Sequence, residues 1–139
     1  MFHHSARYID AYRQTIYIIE EQGHRTRFVP DRRSAALDRL LARQHVFGAA
    51  YLSAFNPESR PTPPARNRRA QIRLISMTAR LGCSVLHGIG IAKDRRWRER
   101  GILVYPLARR RAAWIGRIFR QNAFVQCRSG RPPVIVPLR

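Results

Sequence analysis

Three groups of polar residues interrupt an otherwise apolar pattern, and each carries atoms able to hold a ligand or move a proton. Asn56, Pro57, Glu58 and Ser59 directly follow the apolar run "VFGAAYLSAF" (46–55); Asn67 lies eleven positions after Asn56; Trp97 and Glu99 pair with the later segment "RQNAFV", which holds Gln121 and Asn122. Carboxamides donate and accept at once, so they fix small polar molecules directionally, while a carboxyl group can serve as general acid or base. Among the eight acids, only Glu58 and Glu99 lie near these clusters, so a paired-carboxylate mechanism could use no others. The five histidines show neither H-x-x-x-H nor H-E-x-x-H spacing, and Cys83 and Cys127 are isolated. Nucleophile-elbow, dinucleotide and Walker A patterns are absent, so the sequence calls for no metal and no cofactor.

The elements that would position these residues follow from periodicity and turn chemistry. Phe2, Ala6, Ile9 and Tyr12 recur at helical spacing. "TIYIIE" (15–20) and "RTRFV" (25–29) flank a Gly23 turn and predict a hairpin. Asp31 or Ser34 can cap a helix whose Leu37, Leu40 and Leu41 face a sheet. The run 46–55 predicts a central strand, and Asn-Pro after it fits a type I turn. Thr62 is a candidate N-cap for a helix entered through Pro63 and Pro64. On that phase Ala70, Leu74, Thr78 and Leu81 form one stripe, and Arg66, Arg69, Arg73 and Arg80 another. Asn67 then faces inward, where a buried amide must find partners, and the strand end carrying Asn56 and Ser59 is the nearest candidate.

Strands are expected over 83–92, with Gly88 and Gly90 hinting at a bulge, and over 101–107, joined by the charged loop "KDRRWRER". In that loop Trp97 is either a plug over the core or a stacking platform. A helix over 107–120 carries Arg110 and Arg117 outward, Asn122 can cap it, and "AFVQC" with "PVIVPL" predicts a C-terminal hairpin. The whole reads as one domain over residues 1–139, α+β or α/β, with a mixed β-sheet and about three packed helices.

Charge is the strongest compositional signal. The chain carries 27 basic residues, all arginine except Lys93, against 8 acids, a formal net charge of +19. Through position 57, eight arginines face five acids; from Glu58 onward, nineteen basic residues face three, and no acid follows Glu99. Arginine matches phosphate oxygens with a planar fork of donors, which makes nucleic acid or another polyanion the expected partner. Arginine use in place of lysine can also reflect a GC-rich genome, but that does not account for the missing acids. No apolar stretch approaches membrane-span length and the N-terminus lacks a signal-peptide core, so a cytoplasmic protein without a membrane partner is expected.

Two functions remain open on these grounds. One is a non-enzymatic accessory domain binding nucleic acid or a similar polyanion through Arg66, Arg69, Arg73, Arg110 and Arg117. The other is a small-molecule or enzymatic site built from Asn56, Ser59, Asn67, Trp97, Glu99 and Asn122.

"AYRQTIY" (11–17), "LDRLLA" (37–42), "LSAFNPESR" (52–60) with Asn67, "WRERGILV" (97–104) and "FRQNAFV" (119–125) together resemble, in order and spacing, the bacterial domain of unknown function 3293 family. The resemblance spans about residues 8–137 and implies a small bacterial cytoplasmic domain, with no established activity to carry over. Where members of that family are expected to carry acids at the start of the last helix, this chain has "LARRRAA" (107–113). On that expectation the basic charge belongs to this protein or its genome rather than to the family's shared role.

Overall fold

The computed structural model describes residues 2–139, with side chains from Tyr8 onward. The side chains of Phe2 and Ala6 therefore lie outside those described. Helix α1 (Phe2–Arg13) leads into the hairpin β1 (Thr15–Glu21) and β2 (His24–Phe28), followed by α2 (Ala35–Arg43) and β3 (Gly48–Leu52). A single 3-10 turn (Pro57–Ser59) precedes the long helix α3 (Pro64–Arg80), then β4 (Ser84–Ala92), β5 (Arg98–Tyr105), α4 (Arg109–Ile118) and the hairpin β6 (Ala123–Arg128) and β7 (Val134–Pro137).

The seven strands form one sheet in the order β2-β1-β4-β5-β3-β6-β7. Every pairing is antiparallel, so the sheet is not mixed in strand direction, and the fold is α+β. Strand β3 is flanked by β5 and β6, the central place that its uninterrupted apolar run requires.

Side-chain alternation along the strands supplies two cores, one on each face. Tyr17, Ile19, Ala49, Tyr51, Leu103 and Val125 meet Leu37, Leu40 and Leu41 of α2 on the first face. Ala50, Leu52, Ile102, Val104 and Phe124 meet Ala70 and Leu74 of α3 and Ala112 and Ile115 of α4 on the second. Each fully buried leucine contributes about 1.5–3 kcal/mol of transfer free energy, enough to hold short helices that would not persist alone. Ser34 caps α2 as expected, its Oγ accepting the Leu37 N–H at 3.1 Å.

Strand β5 begins at Arg98, three residues earlier than periodicity predicts, because its register with β4 runs unbroken from Arg98↔Ile91 to Tyr105↔Ser84. The same continuous register rules out a bulge at Gly88 and Gly90. These glycines instead make room for rings: a Cβ on Gly88 would lie 2.9 Å from the Tyr51 ring, and one on Gly90 would lie 3.3 Å from the Tyr17 ring. Gly101, paired with Gly88 across the strands, would bring a Cβ within 2.5 Å of the Tyr51 hydroxyl.

Candidate functional site

Strand β3 ends in a sharply folded loop. Asn56, Glu58 and Ser59 all adopt left-handed backbone conformations, with φ of 46°, 58° and 58°. A type I turn would keep these angles negative, so the Asn-Pro segment departs from the expected turn. Such clustered strain persists only where surrounding contacts over-determine it, and here they come from three elements.

The first is α3. Asn67, 6% exposed, faces inward as its helical phase requires. Its Oδ1 accepts the Asn56 N–H at 2.9 Å, and its Nδ2 donates to Asn56 Oδ1 at 3.0 Å and to Thr62 O at 3.2 Å. Asn56 Oδ1 also accepts the Thr62 N–H at 3.1 Å. These bonds tie the helix entry to the strand end, and Thr62 does not act as the N-cap: its hydroxyl donates to Arg60 O, while Pro63 precedes the first turn without a side-chain cap. One turn further on, Gln71 Oε1 accepts the buried Ala54 N–H at 3.1 Å.

The second is the segment after α4. That helix closes with Arg120 N–H to Arg117 O and Gln121 N–H to Gly116 O, the paired bonds of a Schellman cap with Arg120 left-handed at φ 56°. Asn122 is therefore not the cap. The cap turns Gln121 and Asn122 onto the strained loop, where Gln121 Nε2 donates to Phe55 O at 3.2 Å and Asn122 Nδ2 to Ser59 Oγ at 2.7 Å. The Glu58 N–H reaches Arg120 O at 2.7 Å, and the Glu58 carboxylate pairs with Arg60, Arg120 and Arg139. These cations hold its pKa below the ordinary value, the Arg120 hydrogen bond most of all.

The third is β5. Glu99, 8% exposed, accepts Asn56 Nδ2 at 3.2 Å and hydrogen-bonds Ser53. No described cation pairs with it. Burial pushes its carboxyl up to about 7, against the pull of the Ser53 and Asn56 hydrogen bonds. The single Ser53 hydroxyl proton is also claimed by Arg100 O at 2.8 Å, so Ser53 supports the charged carboxylate only by leaving that carbonyl. Glu99 lines a small, partly open cavity of about 20 Å³ with Tyr12, Tyr17, Tyr51, Ser53, Trp97 and Gln121. Burial raises the Tyr12, Tyr17 and Tyr51 hydroxyls above the usual phenol range, and the Glu99 charge adds to the effect. Tyr51, 5% exposed, has a buried hydroxyl with no hydrogen-bond partner.

All six residues singled out for a polar site thus gather around one strand end. Asn56, Asn67 and Glu99 form one hydrogen-bonded chain, Ser59 and Asn122 a second pair clasping the same loop, and Trp97 walls the Glu99 cavity while remaining 40% exposed.

On the sheet face opposite the Glu99 cavity, α3 and α4 leave a groove of about 540 Å³, which Pro57 and Thr62 of the strand-end loop and Asn67 also border. Arg66, Arg73, Arg80 and Arg120 line it together with Ser76, Met77 and Ile118. Arg69 continues the α3 stripe beside Arg66 and Arg73. Arg110 and Arg117 do not line the groove; they share the outer side of α4 with Trp114, which is 51% exposed. None of Arg66, Arg69, Arg73, Arg80, Arg110 and Arg117 pairs with a described acid, because the acids that form ion pairs sit at the loop and at the other edge of the molecule.

A family model described as "Protein of unknown function (DUF3293)" matches residues 52–124, just over half of the chain. The chain belongs to the DUF3293 family. No curated protein and no solved structure matches it. The DUF3293 match opens at the end of β3 and closes in β6, so it brackets Ser53, Asn56, Ser59, Asn67, Trp97, Glu99, Gln121 and Asn122. Three contributors to the Glu99 cavity, Tyr12, Tyr17 and Tyr51, come from outside the DUF3293 match. Sequence reasoning missed them, together with Ser53 and Gln71. For Tyr51 a signal existed: a large ring amid small residues, with glycines at 88, 90 and 101 to receive it. Among the described residues, no helix is long and apolar enough to cross a membrane.

Proposed function

We propose that this protein is an accessory domain that binds the phosphate backbone of nucleic acid along the groove between α3 and α4. The observation that carries this reading is an open groove lined by Arg66, Arg73 and Arg80 of α3, between two helices that contain no acid. Guanidinium groups left without internal partners gain most from an external anion, since no ion pair has to break first. Trp114 on the outer side of α4 adds a surface for base stacking, flanked by Arg110 and Arg117. Binding of this kind follows phosphate spacing and charge rather than base sequence.

Anisotropy of labelled single-stranded and duplex oligonucleotides, titrated across salt concentrations, tests the reading. Four to six arginine–phosphate contacts give a log–log salt slope of about −4 to −5 on a duplex. Undetectable binding at low salt, or affinity that does not change with salt, would remove it.

A second reading rests on a separate observation, the convergence of Asn56, Ser59, Asn67, Trp97, Glu99 and Asn122 on one strand end. It treats the strand end as a small-molecule site. The Asn56 and Asn67 amides are already spent on one another and on the loop, so the groups left to meet a ligand are those of the Glu99 cavity.

A further inference from the structure

We propose that the small cavity at Glu99 takes the primary ammonium head of a small amine, with Glu99 as counter-ion and the Tyr51 hydroxyl oxygen as a second acceptor. The proposal deepens the small-molecule reading and does not depend on the arginine groove.

Three observations support it. Glu99 is a buried carboxyl that none of the described cations reaches, in a chain with 27 basic residues. An ionised carboxylate in that position is costly until a cation joins it. The cavity walls then supply what an ammonium group needs. An ammonium has three N–H donors and no acceptor. Glu99 and the unpartnered Tyr51 hydroxyl provide two acceptors. Gln121 provides the third, because its Nε2 is committed to Phe55 O and Phe119 O and only its oxygen remains. Four aromatic side chains, Tyr12, Tyr17, Tyr51 and Trp97, surround the same space, and aromatic rings favour cations over neutral groups. Size is the third observation. About 20 Å³ admits one water-sized group, which an ammonium matches and a larger head group exceeds. Trp97 both lines the cavity and meets solvent, so the carbon stem of the amine leaves past its ring.

The titratable groups facing Glu99 are Tyr12 from α1, Tyr17 from β1 and Tyr51 from β3, all held neutral by burial. The pH response of binding therefore belongs to Glu99. With its carboxyl ionising near 7, the fraction able to pair with an ammonium falls about tenfold between pH 8 and pH 6.

Methylammonium chloride is the probe, with sodium chloride at equal ionic strength as control and tetramethylammonium chloride as the oversized cation. The expected result at pH 8 is a saturable rise in the unfolding midpoint with methylammonium alone, about tenfold weaker in affinity at pH 6 and lost in Glu99→Gln. Tyr51→Phe removes only an unpartnered hydroxyl and is expected to fold normally while binding severalfold more weakly. It carries the test if Glu99→Gln fails to fold. No rise beyond the sodium control, an equal rise with tetramethylammonium, or unchanged affinity in Tyr51→Phe would each overturn the proposal.

Discussion

Asn67 and Glu99 act through the same neighbour, Asn56, but in opposite senses. Asn67 is fully committed: it satisfies the Asn56 N–H and the Thr62 carbonyl, both near the start of α3. Asn67→Ala leaves these groups without partners and is expected to lower unfolding free energy by about 3 kcal/mol in urea titration. Glu99 is under-committed, and its stability contribution runs with pH. Its folded pKa of about 7 lies above the ordinary 4.5, so the folded state binds the extra proton between these values. Stability from this group is fully present below pH 4.5 and lost as pH rises through 7, by up to about 3 kcal/mol. Glu21, whose pKa the Arg43 hydrogen bond lowers, works the other way and loses stability as pH falls. Comparing the wild type with Glu99→Gln across pH 4.5–8 isolates the Glu99 part: the variant is expected to lack the decline between pH 4.5 and 7. The inward phase of Asn67 could be read directly from helical spacing. The burial of Glu99 could not, because its flanking arginines make 93–100 look like a solvated loop, and only pairing with β4 turns alternate residues inward.

At the scale of elements, the sheet explains where the site's rings lie. Gly88 and Gly101 face each other across β4 and β5 and together leave the space that Tyr51 fills. Gly101→Ala drives a Cβ to 2.5 Å from the Tyr51 ring and hydroxyl. It is expected to cost about 1–3 kcal/mol by overpacking, read as a lower denaturation midpoint. Helices and hairpins were legible from the sequence because period and turn residues agree there, as in α2 with its Ser34 cap and apolar leucine stripe. Strand order was not legible: β1 pairs with β4, and β3 sits between β5 and β6, through contacts that no local pattern encodes. The strained loop was missed for a related reason. Asn-Pro favours an ordinary turn, and only the clasp from Gln121, Asn122 and Arg120 holds three residues left-handed.

Across the whole molecule, charge is segregated by face. Among the described acids that form ion pairs, none lies on α3 or α4. The arginines of α3 and α4 therefore have no acid on their own helices to neutralise them, and an unneutralised positive surface raises the local anion concentration and speeds encounter with a polyanion. The arginine stripe of α3 was visible in the sequence, but the separation of Arg110 and Arg117 from the groove was not, since it depends on how α4 rotates against the sheet. Removing a groove arginine should flatten the salt dependence more than removing Arg110 or Arg117. The most direct measurement is the salt dependence of oligonucleotide affinity for the wild type and for the triple variant Arg66→Gln, Arg73→Gln, Arg80→Gln. A steep wild-type slope that becomes shallower by about 3 in the triple variant is the expected result. Equal slopes in the two proteins, or no binding by either at low salt, would contradict nucleic-acid binding in the α3/α4 groove.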